Sequence, residues 1–194
     1  MAFVYPENKI APKKGRMLIA QPLLPDSIFS RTAILLCEHN SEESFGLIIN
    51  KLTEFRFETD TEETLSSPNT LVKLYDGGPV STDSMFIVHN QSHLAEKDSE
   101  ILPGLYFGGK YDDFFESIQN GEVNESHFKA FLGYSGWKPG QLEEEIAEGT
   151  WFVKDTTAAE VLKSSKKQDW KKLISSMGDD FEPLSMFPER DYYN

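Results

Sequence analysis

The sequence predicts a mixed α+β fold in a single domain. Apolar residues make up 39% of the 194 residues and aromatic residues 12%, which is enough to fill one packed core. Short apolar runs typical of strands are interspersed with segments of helical period, but without the regular strand–helix–strand units of a parallel α/β fold. No internal repeat, low-complexity tract or linker divides the sequence, so we predict one domain over 1–194.

Three apolar runs in the first fifty residues predict buried strands. Met17–Ala20 is short and wholly apolar, and Thr32–Cys37 is a longer run of the kind found in strands that are covered on both faces. Phe45–Asn50 is a matching run that follows a short polar link. Two apolar strands joined in this way predict a β-hairpin.

The middle of the chain has weaker signals. The segment 51–74 is polar and acidic, and we expect one short helix near 62–66 in it. Leu74–Val80 contains two glycines and a proline, which permit unusual backbone angles, and is therefore predicted to be a turn. Strands are predicted over Ser84–His89 and Leu105–Phe107, because each is a short run rich in apolar residues that ends in polar residues or glycine.

The stretch Phe131–Ile146 contains closely spaced glycines at Gly133, Gly136 and Gly140. It predicts the end of a strand, a tight glycine loop over Gly133–Gly136 and the start of a helix after Pro139. A further strand is predicted over Thr150–Val153, where three apolar residues follow a threonine.

Helices are predicted from their start and stop signals. Lys110–Ile118 has acidic residues in its first turn, apolar residues on one face and a stop at Asn120-Gly121. Thr156 or Thr157 is predicted to cap a later helix, and another helix lies around 170–177. The tail 179–194 contains two prolines and is predicted to be irregular.

Charge and cysteine content limit the classes of function. The net charge of −13 gives a field that repels phosphate backbones and anionic membranes, so we predict neither direct nucleic-acid binding nor membrane association. The single cysteine, Cys37, excludes an internal disulfide and a cysteine-based zinc cage. The N-terminus lacks the pattern of a signal peptide, and no apolar run approaches the ~20 residues that span a bilayer. We predict a soluble cytoplasmic protein.

The glycine-rich segments do not match catalytic motifs. Gly133–Trp137 resembles the G-x-S-x-G nucleophile elbow, but Trp137 stands in place of the last glycine, and all four histidines precede Ser135. Gly108-Gly109-Lys110 is followed by tyrosine, where a phosphate loop needs serine or threonine. Glu143–Glu145 make the next helix start unfavourable for an incoming anion. We therefore predict no catalytic, cofactor-binding or metal-binding residue and no cofactor.

Six residues are candidates for a signature or pocket. Cys37 and His39 are two apart and would share one face of a strand, where a thiolate and an imidazole can form a nucleophile or half a metal site. The apolar run before them favours a buried core cysteine beside a strand-end histidine. Gly77 and Gly78 either let a ligand approach the backbone or form a tight turn, and the turn is favoured. Tyr134 and Trp137 complete the set, and Trp137 is interpreted as a core or interface anchor.

Several blocks of the sequence resemble the AlgH/YqgE family. The resemblance runs from about 15 to about 177, and one departure is Leu52, where many members carry proline. It implies a bacterial cytoplasmic protein with a compact α+β fold whose strongly curved sheet curls towards a partial barrel. It implies no agreed reaction, and the label of transcriptional regulator given to many members lacks support here, because we find no helix-turn-helix pattern and the charge opposes DNA binding. The blocks are Gly15–Pro22, Phe29–Thr32, Leu36–Asn40, Gly46–Lys51, Gly77–Val80, Leu132–Trp137 and Gly140–Ile146.

Two hypotheses about function follow. The first is a non-enzymatic regulatory or protein-interaction module that acts through a protein partner or through its own dimer. The alternative is a small-ligand-binding protein or an enzyme of unassigned substrate. Its site would lie where the end of the Cys37–His39 strand meets the loops Gly77-Gly78 and Gly133–Gly136.

Overall fold

The computed structural model describes residues 5–25, 28–58 and 71–188 and confirms a mixed fold of strands and helices. The strands are β1 (Met17–Ala20), β2 (Ala33–His39), β3 (Ser44–Ile48), β4 (Leu52–Glu58), β5 (Leu71–Asp76), β6 (Val80–His89), β7 (Glu100–Leu102), β8 (Leu105–Phe107), β9 (Phe128–Trp137) and β10 (Trp151–Lys154). The α-helices are α1 (Tyr111–Gln119), α2 (Gln141–Ala147), α3 (Ala158–Lys163) and α4 (Asp169–Ser175). Short 3₁₀ helices cover Ser92–Leu94 and Glu182–Met186.

The strands form one large, mostly antiparallel sheet. Its order is β10-β1-β2-β3-β9-β6-β8-β7, and β5 joins β9 as a parallel neighbour while β4 pairs with β5. In the described residues the end strands β10 and β7 do not pair with each other, so the sheet is not closed into a barrel. The predicted curvature towards a partial barrel stays a prediction.

Both faces of the first strands are covered, as their continuous apolar runs predict. Along β1, Met17 and Ile19 belong to one core cluster, whereas Leu18 and Ala20 belong to another. The first cluster is closed by apolar residues of α3, α4 and the C-terminal segment, and the second by Leu142 of α2 and its neighbours. A third cluster packs α1 against β5, β6 and β9. The predicted hairpin is confirmed, since β2 and β3 pair antiparallel.

The helix signals are also confirmed. Helix α1 begins at Tyr111, with two acidic residues in its first turn, and ends before Asn120. Thr157 is the N-cap of α3, where its side chain accepts a hydrogen bond from the Glu160 amide. The region 170–177 contains most of α4, which ends at Ser175.

The prediction of a glycine loop over Gly133–Gly136 is wrong. Strand β9 continues through Gly133–Gly136 to Trp137, and the turn into α2 follows at 138–140, where Gly140 adopts φ +80°. Gly133 adopts φ +69° and packs closely against the backbone of Gly78 and Val80, whereas a Cβ on Gly136 would contact only the side chain of Tyr134.

Other predictions also differ from the structure. Leu74–Asp76 belongs to β5, so the predicted turn is confined to the residues after it. The half-exposed strand β4 and the three-residue strand β7 lack a continuous apolar run and were not predicted. Part of the tail is ordered, because Phe181 and Leu184 are buried in the core. The helix expected near 62–66 and the tail after 188 lie outside the described residues.

Candidate functional site

The two glycine segments meet where the central strand β9 changes its partner. Through Ala130–Leu132 it pairs with β5, and through Ser135–Trp137 it pairs with β3. Gly77 lies at the change: its amide donates to the Leu132 carbonyl over 2.8 Å, and its carbonyl accepts from the Ile48 amide over 3.1 Å. Gly77, which directly follows β5, is therefore hydrogen-bonded both to β9 and to the end of β3.

The contact between the glycines leaves no space for side chains. A Cβ on Gly77 would lie 2.2 Å from the carbonyl oxygen of Gly133, and a Cβ on Gly78 would lie 2.4 Å from Ser135 Oγ. The Ser135 hydroxyl donates to the Gly77 carbonyl over 3.2 Å, and its residue is 0% exposed. The glycine segments are thus packed on each other, and Ser135 is enclosed between them.

Beside this contact, four aromatic rings from four adjacent strands form a closed cluster, in which Phe45 and Phe107 of the two outer strands also touch. Phe45 of β3, Tyr134 of β9, Phe86 of β6 and Phe107 of β8 follow the order of the strands in the sheet. Each ring contacts two of the others, with ring centroids 5.5 to 6.1 Å apart. All four are partly exposed and pack with their inner sides on the main core.

The four rings line a groove of about 650 Å³. We call it the aromatic groove. Its rim is polar, with Glu43, Lys138 and Gln141 among the lining residues. The full lining is Glu43, Ser44, Phe45, Val80, Phe86, Phe107, Tyr134, Gly136, Trp137, Lys138 and Gln141.

Gly136 lines the groove beside the ring cluster. It lies opposite Phe45 in the pairing of β3 with β9, and it contributes no side chain to that place. An aromatic ring beside a cross-strand glycine is a recurrent way to cover the gap in a sheet. Since residues two apart on a strand share a face, Tyr134 and Gly136 point to the same side. A Cβ on Gly136 would accordingly lie 3.2 Å from Tyr134 Cε2.

Trp137 is at the end of the groove but anchors the opposite side of the sheet. It is 7% exposed and belongs to the core cluster under α2. Its indole donates to Glu145 Oε2 over 2.8 Å, and the indole of Trp151 donates to the same oxygen over 2.7 Å. One carboxylate of α2 therefore holds two tryptophans, one on β9 and one on β10.

Cys37 and His39 do not share a face, contrary to their spacing. The pairing of β2 with β3 shifts between Leu36 and Glu38, and such a bulge breaks the alternation of side chains. Cys37 is 3% exposed in the core with Leu35, and burial raises the pKa of its thiol. His39 instead contacts Ser44 and approaches α2. The structure thus separates the thiol from the imidazole.

His39, Ser44 and Glu143 form a polar network at the rim of the groove. His39 Nδ1 is 2.7 Å from Ser44 Oγ, and Nε2 is 3.6 Å from Glu143 Oε1. Serine, histidine and carboxylate also make up hydrolase triads. Here Ser44 is only 5% exposed, which restricts access of a substrate carbonyl to its hydroxyl. We interpret the network as a link between the β2–β3 hairpin and α2.

A buried lysine was missed by the sequence reasoning. Lys129 of β9 is 2% exposed, and its Nζ donates to the Ile49 carbonyl over 2.7 Å. The same ammonium lies 4.3 Å from the centroid of the Tyr75 ring. Burial lowers the pKa of Lys129 to about 7, while the charge of Asp169 acts in the opposite direction. The alternation of Phe128, Lys129 and Ala130 gave no signal that the lysine points inwards.

The described part of the chain contains neither a metal-binding cluster nor a membrane-spanning helix. Within 5–25, 28–58 and 71–188, no group of three or more histidine, cysteine, aspartate or glutamate residues could hold a metal ion. No helix in these same ranges has both the length and the apolar character needed to cross a membrane.

The sequence is similar to a known family over most of its length. The AlgH-like family model matches residues 17–182. A UPF0301 protein of Cytophaga hutchinsonii is 37% identical over 176 residues, which cover 90% of this chain and 95% of that protein. A UPF0301 protein of Bacteroides thetaiotaomicron is 34% identical over 192 residues, which cover 99% and 96% of the two chains.

Two solved structures are similar to this one. The solution structure of the AlgH protein from Pseudomonas aeruginosa matches with a TM-score of 0.69 and 26% identity, covering 98% of this chain and 100% of that chain. A crystal structure of a Corynebacterium diphtheriae protein matches with a TM-score of 0.73 and 22% identity, covering 93% and 95%. The second likeness is one of fold.

Proposed function

The chain belongs to the AlgH-like family, and on that premise we propose that it is a protein-interaction module whose aromatic groove receives an apolar side chain of a protein partner. The observation that carries the proposal is the cluster of four partly exposed rings from β3, β9, β6 and β8, which lines the groove. Large rings that stay partly in contact with water are unfavourable unless something covers them. A partner that covers them gains that free energy on binding.

The composition of the groove suits an anchoring contact. Protein interfaces concentrate their binding energy in a few aromatic or apolar anchors, which are surrounded by a polar rim. The four rings provide the apolar floor, while Glu43, Lys138 and Gln141 provide the rim. A single aromatic or large aliphatic side chain, inserted beside Gly136, would contact several of the rings.

The charge of the protein selects among partners. With a net charge of −13, the surface favours a segment that carries basic residues on either side of its apolar anchor. The same charge disfavours DNA. A regulatory role of the protein would therefore be exerted through a protein partner, and we place that role in the bacterial cytoplasm, in keeping with its single, buried cysteine.

Selection from a random peptide library, followed by affinity measurement, tests the proposal. We expect enriched peptides to share an aromatic or aliphatic anchor flanked by lysine or arginine. Tyr134→Ala should weaken their binding by at least about tenfold, which corresponds to ~1.4 kcal/mol. Phe55→Ala is the matched control, because Phe55 is an aromatic residue of β4 that is 68% exposed and lies outside the groove.

Two outcomes would overturn the proposal. One is a selection that enriches no peptide against the wild-type protein. The other is equal weakening by Tyr134→Ala and Phe55→Ala, which would show that the peptides bind elsewhere or bind any exposed ring. Both variants are first compared with the wild type in thermal unfolding, so that loss of fold is not mistaken for loss of binding.

A small apolar ligand is the second candidate for the same groove. Its volume of about 650 Å³ favours this candidate, because small-molecule sites span roughly 300–1,000 Å³ and combine an apolar lining with few polar groups. A fragment screen by NMR distinguishes the two candidates. Fragments that bind with higher affinity than any selected peptide, and displace it, would favour the small ligand.

A further inference from the structure

The N-terminal arm, residues 5–12, lies along the outer edge of strand β10. Among the described strands β10 pairs with β1 alone, so its other edge has no neighbouring strand. The arm covers this edge, because the ring of Tyr5 lies 5.7 Å from that of Phe152 and Asn8 contacts Val153. Open strand edges tend to pair with other chains, and proteins commonly cover them.

Asn8 takes the place of a neighbouring strand. Its side-chain Nδ2 donates to the Val153 carbonyl over 3.0 Å, and its Oδ1 accepts from the Val153 amide over 2.6 Å. A residue on an adjacent antiparallel strand would make the same two hydrogen bonds with its backbone. One side-chain amide therefore substitutes for one peptide unit at this edge.

The pairing with β1 shows which groups of β10 face this outer edge. The Gln21 amide donates over 3.0 Å to the carbonyl of Thr150, which directly precedes β10, so Thr150 faces β1. Neighbouring residues of a strand direct their backbone groups to opposite edges, and Trp151 and Val153 therefore direct theirs away from β1. The outward-facing groups thus lie on either side of Phe152.

The tip of the arm, residues 5–8, is held less firmly than its root. At the root, Ile10 packs on the second core cluster, and the Ala11 carbonyl accepts from Arg16 Nη1 over 2.7 Å. In the tip, Glu7 forms an exposed ion pair with Lys9 of the arm itself. A cavity of about 380 Å³ lies between the tip, β10 and the end of α2, and segments with few packed contacts open most easily.

We propose that the tip of the arm is a strap that competes with a second copy of this chain for the edge of β10. When the strap is released, two β10 strands pair antiparallel around a two-fold axis at Phe152. Trp151 of each copy then lies opposite Val153 of the other, and the outward-facing amides and carbonyls of both residues form hydrogen bonds between the copies. The two sheets become one continuous sheet.

The sequence of the edge is compatible with itself in this register. Lys154 would lie opposite Thr150, and Asp155 opposite Gly149, so no like charges meet directly across the pair. The outward-facing groups lie symmetrically about Phe152, and a two-fold contact between identical surfaces needs such symmetry. These two properties favour a second copy over an unrelated extended segment, which need not match either of them.

The edge of β4 differs from that of β10. Arg56 Nη1 donates to the carbonyls of Thr53 and Phe55 over 2.9 and 2.8 Å. The side chain that covers these carbonyls belongs to β4 itself, whereas β10 is covered by a separate segment. Movement of the arm therefore exposes the edge of β10 and leaves that of β4 as it is.

Sedimentation equilibrium of the full chain tests the proposal. The double variant Tyr5→Ala/Asn8→Ala removes both contacts of the tip with β10, and we expect it to lower the Kd of self-association by at least about tenfold relative to the wild type. Asn8→Ala alone keeps the Tyr5 ring beside Phe152 and should lower the Kd by about threefold. Glu7→Ala/Lys9→Ala is the matched control, because it changes two exposed residues of the same arm and keeps the net charge. Its Kd should equal that of the wild type.

Hydrogen exchange of the backbone amides locates the contact. In dilute solution the Val153 amide of the double variant should exchange at least about tenfold faster than in the wild type, because Asn8 Oδ1 no longer accepts from it. At concentrations above the Kd, the amides of Trp151 and Val153 should both become protected, since each donates to the second copy. Circular dichroism first compares the fold of the variants with that of the wild type. If the double variant is unfolded, the same two measurements on Asn8→Ala decide the proposal.

The proposal fails on any of three results. One is a Kd that neither arm variant lowers. Another is an equal decrease of the Kd in Glu7→Ala/Lys9→Ala, which would indicate a general disturbance of the arm. The last is a dimer whose protected amides lie elsewhere, such as at Phe57, which would assign the contact to β4. None of these results bears on peptide binding by the aromatic groove, since the groove and the cavity below the arm share no lining residue.

Discussion

Phe45 lies directly opposite Gly136 in the pairing of β3 with β9, and this pair opens the aromatic groove. The ring covers part of the gap that the glycine leaves, while Tyr134 borders it on the same strand. The backbone of Gly136 does not adopt the left-handed region, so glycine is not required there for its conformation. The missing side chain matters because of the space that it leaves.

Filling that space should weaken peptide binding without unfolding the protein. In Gly136→Val the new side chain enters the groove, and its Cβ meets only the ring of Tyr134, which is partly exposed and can shift. We expect the free energy of unfolding to change by no more than about 1 kcal/mol. Peptide affinity should fall by at least about tenfold. Thermal unfolding and fluorescence anisotropy measure the two effects.

Thr82→Val provides the control for this substitution. It introduces the same β-branched side chain at an exposed position of β6 that does not line the groove. Unchanged peptide binding in Gly136→Val would contradict the assignment of the groove as the binding site.

A second glycine should respond in the opposite way. Gly77, like Gly136, has a backbone conformation that an alanine can adopt. A Cβ there would lie 2.2 Å from the Gly133 carbonyl, a backbone atom fixed inside the sheet. We expect Gly77→Ala to lower the free energy of unfolding by roughly 3 kcal/mol or to prevent folding. Urea unfolding of Gly77→Ala and Gly136→Ala measures the difference, and equal stability of the two would refute the close approach.

The sequence predicted the elements whose burial is continuous. Thr32–Cys37 and Met17–Ala20 are covered on both faces, so their composition alone identifies them. Strand β5 has exposed residues at Leu71 and Lys73 and is followed directly by two glycines. The sequence therefore predicted a turn where this strand ends. The loop predicted at Gly133–Gly136 is wrong for a similar reason. Glycine occurs both in turns and where two strands approach closely, and the sequence does not distinguish the two.

The site could be predicted only in part. Tyr134 stands in a recognisable block, but Phe45, Phe86 and Phe107 join it only through the order β3-β9-β6-β8. That order depends on pairings between segments far apart in the chain. The bulge between Leu36 and Glu38 is equally invisible in the sequence, and it separates Cys37 from His39.

Glu145 should contribute more to the free energy of unfolding than the other glutamates of α2. It accepts hydrogen bonds from the indoles of Trp137 and Trp151, both of which are largely buried. Glu145→Ala leaves two buried donors without this acceptor and should lower the free energy of unfolding by about 3 kcal/mol. Glu144→Ala, on the exposed side of the same helix, is the control. Chemical unfolding followed by tryptophan fluorescence measures both, and similar losses in the two variants would contradict the assigned role.

The buried ammonium of Lys129 should make stability depend on pH. In the unfolded chain its pKa is near the ordinary 10.5, whereas burial lowers the pKa in the folded protein to about 7. Between these two values the unfolded chain binds more protons than the folded one. The contribution of Lys129 to the free energy of unfolding therefore rises with pH across this window and is lost as the pH falls towards 7. The slope is at most ~1.4 kcal/mol per pH unit.

Replacing Lys129 with methionine should remove this contribution. Lys129→Met keeps the apolar stem but loses the charge and the hydrogen bond to the Ile49 carbonyl. The free energy of unfolding of the variant minus that of the wild type should therefore be highest near pH 6, where the wild type buries a charged lysine. The difference should be lowest near pH 9. Urea unfolding at pH 6 to 9 measures the change, with Lys97→Met as an exposed control. Equal pH slopes for the wild type and Lys129→Met would contradict the lowered pKa of the buried lysine. They would mean that the charge of Asp169 and the ring of Tyr75 stabilise the ammonium enough to offset its burial.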